Sequence, residues 1–143
     1  MAERVFTVVQ ANRILPTVEE AIRYIRAKAR EIIRTQDRIG VLTLIGAETA
    51  GSPENRELAE ARNRLHALAE RYNARLEELE KIGCVVKDLN HGLVDFYARK
   101  DDRLVFLCWK LGEKRISFWH ELEGGFTGRR PIREFESADE EED

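Results

Sequence analysis

Residues 84–131, CVVKDLNHGLVDFYARKDDRLVFLCWKLGEKRISFWHELEGGFTGRRP, decide the fold, because the hydrophobic period changes where they begin. Up to Gly83 the apolar residues recur every three or four positions; from Cys84 they alternate. Alternation predicts strands near 84–88, 92–98, 103–109 and 115–121, with four-residue turns at Arg99–Asp102 and Leu111–Lys114. The same stretch holds both tryptophans, both cysteines and two of the three histidines. Its carboxylates Asp88, Asp95 and Glu113 sit among apolar residues rather than on a solvated helix face.

Upstream, Val18, Ile22, Ile25, Ala29, Ile32, Gln36 and Ile39 step by four and three residues, which predicts a helix over about 17–40. A short helix precedes it, started by Thr7 and Gln10 as a capping box and broken or kinked at Pro16. Gly40–Ser52 reads as either a frayed helix end or an ordered loop. Ser52 as N-cap and Pro53 in the first turn start a second helix over 53–82, with its own seam from Leu58 to Ile82 and Gly83 as the stop. The fold expected is therefore α+β: a long antiparallel helical hairpin followed by a three- or four-stranded antiparallel sheet.

Turn lengths fix the expected register. Four-residue turns place Asp95 opposite Phe106 and His120 opposite Val105, so Asp95 and His120 fall on opposite faces. A one-residue change in the second turn would reunite them.

Several segments resemble an uncharacterised bacterial family catalogued as domain of unknown function 2203. They are Phe6-Thr7, Ala11-Asn12-Arg13 and Leu15-Pro16; Lys87-Asp88-Leu89 and Gly92 to Phe96; Cys108 to Glu113; Trp119-His120; and Gly125 to Arg129. The resemblance spans nearly the whole chain outside the acidic tail. It implies a small bacterial protein and assigns no activity to any residue.

Charge is unevenly laid out. The chain has 24 bases and 27 acids, yet residues 134–143 hold seven acids and no base, leaving a body of net positive charge. A single α+β domain over 1–133 with a solvated acidic tail over 134–143 is expected. Two cysteines without CxxC spacing, no leader and no apolar run near the ~20 residues of a membrane span suggest a reducing cytoplasm and no membrane.

No complete catalytic or metal motif is spelled out. Asp95 and His120, with Asp88 or Glu113, are the residues that can hold a divalent metal. Trp119, His120 and Glu121 run into a glycine-rich segment ending in Arg129 and Arg130, which suits an anionic ligand. The plainer alternatives are a hydrogen-bonded core-edge histidine, arginines paired to the protein's own acids, and core tryptophans. Six cations from Arg23 to Arg38 on the first long helix raise a nucleic-acid reading, against which stand the tail and the lack of a recognition module. Two classes remain: an interaction module working as a homodimer or with a protein partner, and a metal- or anion-dependent enzyme or binding protein. The first is favoured, since one sheet face carrying Leu93, Phe106, Cys108 and Trp119 needs a cover.

Overall fold

The computed structural model describes residues 4–135. Two helices, α1 (Val8–Leu44) and α2 (Asn55–Ile82), precede five strands: β1 (Val85–Asp88), β2 (Leu93–Lys100), β3 (Arg103–Lys110), β4 (Phe118–Glu121) and β5 (Arg130–Pro131). The strands form one antiparallel sheet in chain order. The fold is α+β with a helical hairpin, and β5 adds a fifth, two-residue strand to the sheet expected. No described helix is long and apolar enough to cross a membrane.

The chain divides into two compact units, one of residues 23–77 and one of residues up to Ile22 with those from Glu78 onward. In the helical unit, Leu42, Ala47, Leu58 and Ala61 form a buried cluster with Ile39 packed against it. The seam drifts from the expected heptad. Thr35 is buried where Gln36 was expected, and its hydroxyl donates to the Glu31 carbonyl at 2.8 Å. A straight helix turns 3.6 residues per turn, so a strict seven-residue repeat leaves the contact face within a few turns. The 45–54 connection is an ordered turn, held by the Ala47 N–H on the Leu42 carbonyl and the Asn55 side chain on the Ala47 carbonyl. The second helix consequently starts at Asn55 and not at Pro53.

In the second unit the capping box forms as expected. Gln10 N–H donates to Thr7 Oγ1, and Thr7 N–H donates to Gln10 Oε1, both at 3.0 Å. The break at Pro16 does not occur: α1 runs through it. Pro16 has no N–H for the Asn12 carbonyl, a substantial cost inside a helix. Leu15 and Val18, both buried, show the packing that offsets it. Asn12 also gains a tertiary role, since its Oδ1 accepts the Ile116 N–H at 2.7 Å. Phe6 N–H donates to the Tyr97 carbonyl, and the Phe6 ring meets Phe96 edge-on at 5.2 Å. On the same face of the sheet as Phe96, Val94, Val105 and Leu107 are likewise fully buried. Gly83 ends α2, as expected, with its N–H on the Leu79 and Glu80 carbonyls.

Both turns differ from expectation. Asp101 and Asp102 have φ of 52° and 67°, so β2 and β3 are joined by two residues with Lys100 opposite Arg103. That moves the register by two, placing Asp95 opposite Cys108 and leaving every face unchanged. The second connection does change the faces. Trp109 Nε1 donates to the Glu113 carbonyl, Lys110 N–H donates to Glu113 Oε1, and the Ile116 N–H is taken by Asn12. The strand resumes only at Phe118, and His120 pairs with Phe106 instead of Val105. This odd shift turns the whole of β4 over.

The 3-10 turn Ile132–Phe135 contains Glu134 and Phe135, which the sequence reading had assigned to the tail. The remaining tail residues, 136–143, lie outside the described residues.

Candidate metal centre

The flipped strand puts Asp95, Cys108 and His120 on one face, from three adjacent strands. All three are about 2 % exposed. One ligand atom from each, a carboxylate oxygen, Sγ and an imidazole nitrogen, lies within 4.8 Å of the others.

His120 is held at both nitrogens. Nδ1 lies 2.6 Å from the Glu121 carbonyl, and Nε2 lies 3.0 Å from Asp95 Oδ2. A carbonyl can only accept, so Nδ1 carries a proton. The Glu121 carbonyl also accepts the Gly124 N–H, which fixes it in a tight turn. One further proton then lies between Nε2 and Asp95, on one or the other. Burial pushes the Asp95 carboxyl above its ordinary value, while His120 opposes that push. The Cys108 thiol is pushed up to about 11 by burial and by Asp95, with the Arg129 guanidinium pulling the other way.

This is not a nucleophilic triad, in which the imidazole shows one nitrogen to the acid and the other to the nucleophile. Here the nitrogen that does not face Asp95 is occupied by a carbonyl, so His120 is not placed to take the Cys108 proton. One nitrogen donates to a fixed backbone acceptor and the other faces the Asp95 carboxylate, an orientation that metal-binding histidines also use. Thiolate, imidazole and carboxylate together suit zinc and its neighbours.

A cleft of about 170 Å³ opens beside the three residues, lined also by Lys87, Leu93, Leu122, Glu123, Gly125 and Phe126. The face expected to need a cover is thus covered at least in part by the chain itself. Phe106 and Cys108 are buried on it, and residues 122–126 line the cleft above. Trp119 lies on the other face, opposite Leu107.

The remaining sequence candidates are engaged elsewhere. Glu113 takes a two-pronged contact from Arg129, at 2.7 and 2.8 Å, and Arg129 also donates to the Cys108 carbonyl at 3.2 Å. The Arg129 guanidinium sits over both Phe118 and Phe126. Its Nε is buried with no hydrogen-bond partner. Arg129 thus fastens the glycine-rich segment to the sheet and supports the Cys108 backbone. Asp88 is paired with His91 at 2.8 Å. Arg130 reaches Glu134, and Trp119 Nε1 donates to the same carboxylate. The Glu121 side chain pairs with Arg103, so Glu121 serves the site only through its carbonyl.

Two residues escaped the sequence reading. Cys108 was placed on Asp95's face but not considered as a ligand, because its spacing to Cys84 matches no zinc framework. Cys84 itself is buried, with its thiol on the Leu79 carbonyl, and takes no part. The other is Lys87, whose signal lies in a strand irregularity invisible to pattern.

The family described as uncharacterized conserved protein, DUF2203, matches residues 4–132. No curated protein and no solved structure matches the chain.

Proposed function

We propose, for a chain that belongs to the uncharacterized conserved protein family DUF2203, that it is a metal-dependent protein with a zinc-type ion held by Asp95, Cys108 and His120. The observation that carries this reading is the convergence of three buried ligand atoms of matched type, with His120 oriented by the Glu121 carbonyl. Three protein ligands leave a fourth position of a tetrahedral ion open, the arrangement of catalytic rather than structural zinc. Asp95, Cys108 and His120 also line the cleft, so an ion held by them would be reached by a small ligand or substrate from that side. A thiolate ligand must stay reduced, which favours the reducing cytoplasm expected from the sequence.

Binding exchanges protons for metal. The thiol stays protonated up to about 11, and one proton is shared between Asp95 and His120. Zinc added to metal-free protein at pH 7 is expected to release about two protons per ion, and its affinity rises with pH. At a hundredfold excess over its dissociation constant it stabilises the fold by about 2.7 kcal/mol. Thermal melts and pH-indicator titrations check both, with Cys108→Ser losing most of each effect. A melting midpoint indifferent to zinc, cobalt and manganese would remove the metal reading.

A second reading concerns assembly. Ile33, Val41, Leu44 and Ile45 are exposed in the helical unit, with Leu44 87 % exposed. Ile33, Val41 and Leu44 fall on one side of α1 by helical spacing. A second copy of the chain covering this stripe would give the homodimer expected from the sequence. Light scattering at tens of micromolar is expected to give twice the chain mass, and Leu44→Glu to halve it; a monomer mass for the wild type ends this reading.

A further inference from the structure

We infer that Lys87 makes the open metal position selective for a small monoanionic oxygen ligand of the carboxylate type. The inference rests on the metal reading and deepens it.

Lys87 is the extra residue of a strand bulge. Val86 pairs with Val94 and Asp88 with Leu93, so Lys87 has no partner on β2. Bulges re-aim side chains and recur beside active sites. Here the ammonium group lies over the Phe106 ring, 4.4 Å from its centre, and Phe106 is the cross-strand partner of His120. Lys87 lines the same cleft as the three ligand residues, and its charge is felt at Asp95. It forms no ion pair with a described carboxylate. Its charge is therefore available to a ligand in the cleft.

The size of the cleft limits what enters. At about 170 Å³ it has the room of roughly five or six waters. That is well under the ~300 Å³ at which sites for drug-sized molecules begin. Charge narrows the choice further. Two charges on the metal would be balanced by the Cys108 thiolate and the Asp95 carboxylate, which leaves the single charge of Lys87 for a ligand, with Glu123 also on the cleft wall. A dianion would meet Glu123 with no compensating cation. A monocarboxylate would instead give one oxygen to an ion held by Asp95, Cys108 and His120 and direct its single charge to Lys87.

Cobalt(II) reports this without any assay of activity, since its visible spectrum follows the coordination shell. Acetate added to cobalt-loaded full-length protein is expected to change that spectrum saturably. Lys87→Gln is expected to bind cobalt as the wild type does but to need about tenfold more acetate, the lower range for losing a charge-assisted contact. Lys87→Arg should restore most of the affinity, and inorganic phosphate should bind more weakly than acetate. Equal acetate affinity in wild type and Lys87→Gln overturns the inference, as does a spectrum unmoved by acetate or tighter binding of phosphate. A chain that gives no bound-cobalt spectrum removes the metal reading and this inference together.

Discussion

His120→Ala is expected to lower the stability of the metal-free protein by about 3 kcal/mol, at the low end of the range for breaking a buried ion pair. The cost arises from Asp95, which is 2 % exposed in the wild type and loses its hydrogen bond to Nε2 at 3.0 Å, keeping only the weaker contact with the Cys108 thiol. His120 is also what opposes the upward push of burial on the Asp95 carboxyl, so removing it pushes that group further up. The sign of the pH dependence follows. A carboxyl whose folded value lies above its unfolded value takes up a proton on folding, and stability falls as pH rises from the ordinary 3.8 through the raised value. The defect of His120→Ala is therefore small near pH 4 and grows toward neutrality. Adding Asp95→Val removes the stranded carboxylate and is expected to recover much of the loss. Urea unfolding of the two variants across pH, with chelator present, measures both. A defect independent of pH, or a double variant less stable than His120→Ala, would mean that Asp95 is not the buried charge described.

Gly92→Ala should cost as much without touching the candidate centre's chemistry. Gly92 joins the turn after β1 to β2 with φ of 67°, and its carbonyl accepts the Leu111 N–H at 2.9 Å. A Cβ there would stand 2.5 Å from Leu111 Cβ, closer than real side chains approach. Backbone strain of about 1 kcal/mol and overpacking of 1–3 kcal/mol together predict a loss of roughly 2–4 kcal/mol. Gly112 is the internal control. Its φ of 105° is as unfavourable for alanine, yet no atom lies within 4 Å of a Cβ there. Gly112→Ala should cost only the strain. Equal losses in the two variants would show that the Leu111 contact relaxes freely.

What could be read from sequence was whatever depends on neighbours along the chain. The capping box at Thr7, the stop at Gly83 and the change of period at Cys84 all have local causes, and each appears in the structure. The continuity of α1 through Pro16 was not legible, because the packing of Leu15 and Val18 that offsets the missing amide is a property of the assembled core. Register failed for a similar reason. The length of the β3–β4 connection is set by Trp109 on Glu113 and by Asn12 on Ile116, the latter bond joining residues 104 positions apart. The Asp101–Asp102 turn was partly readable, since aspartate tolerates left-handed backbone better than most residues. Asp95 and His120 were singled out from sequence, but the parity error separated them. Arg129 was singled out for a ligand; in the structure its guanidinium holds Glu113.

The measurement that bears most directly on the centre is X-ray absorption at the zinc edge of protein loaded with one equivalent of zinc. The geometry predicts a four-coordinate ion with one sulfur at about 2.3 Å and nitrogen or oxygen donors at about 2.0–2.2 Å. The sulfur should disappear in Cys108→Ser, and the imidazole signature in His120→Ala. A shell of oxygen donors alone in the wild type, or a spectrum unchanged by either substitution, would contradict the assignment of Asp95, Cys108 and His120 as a metal centre.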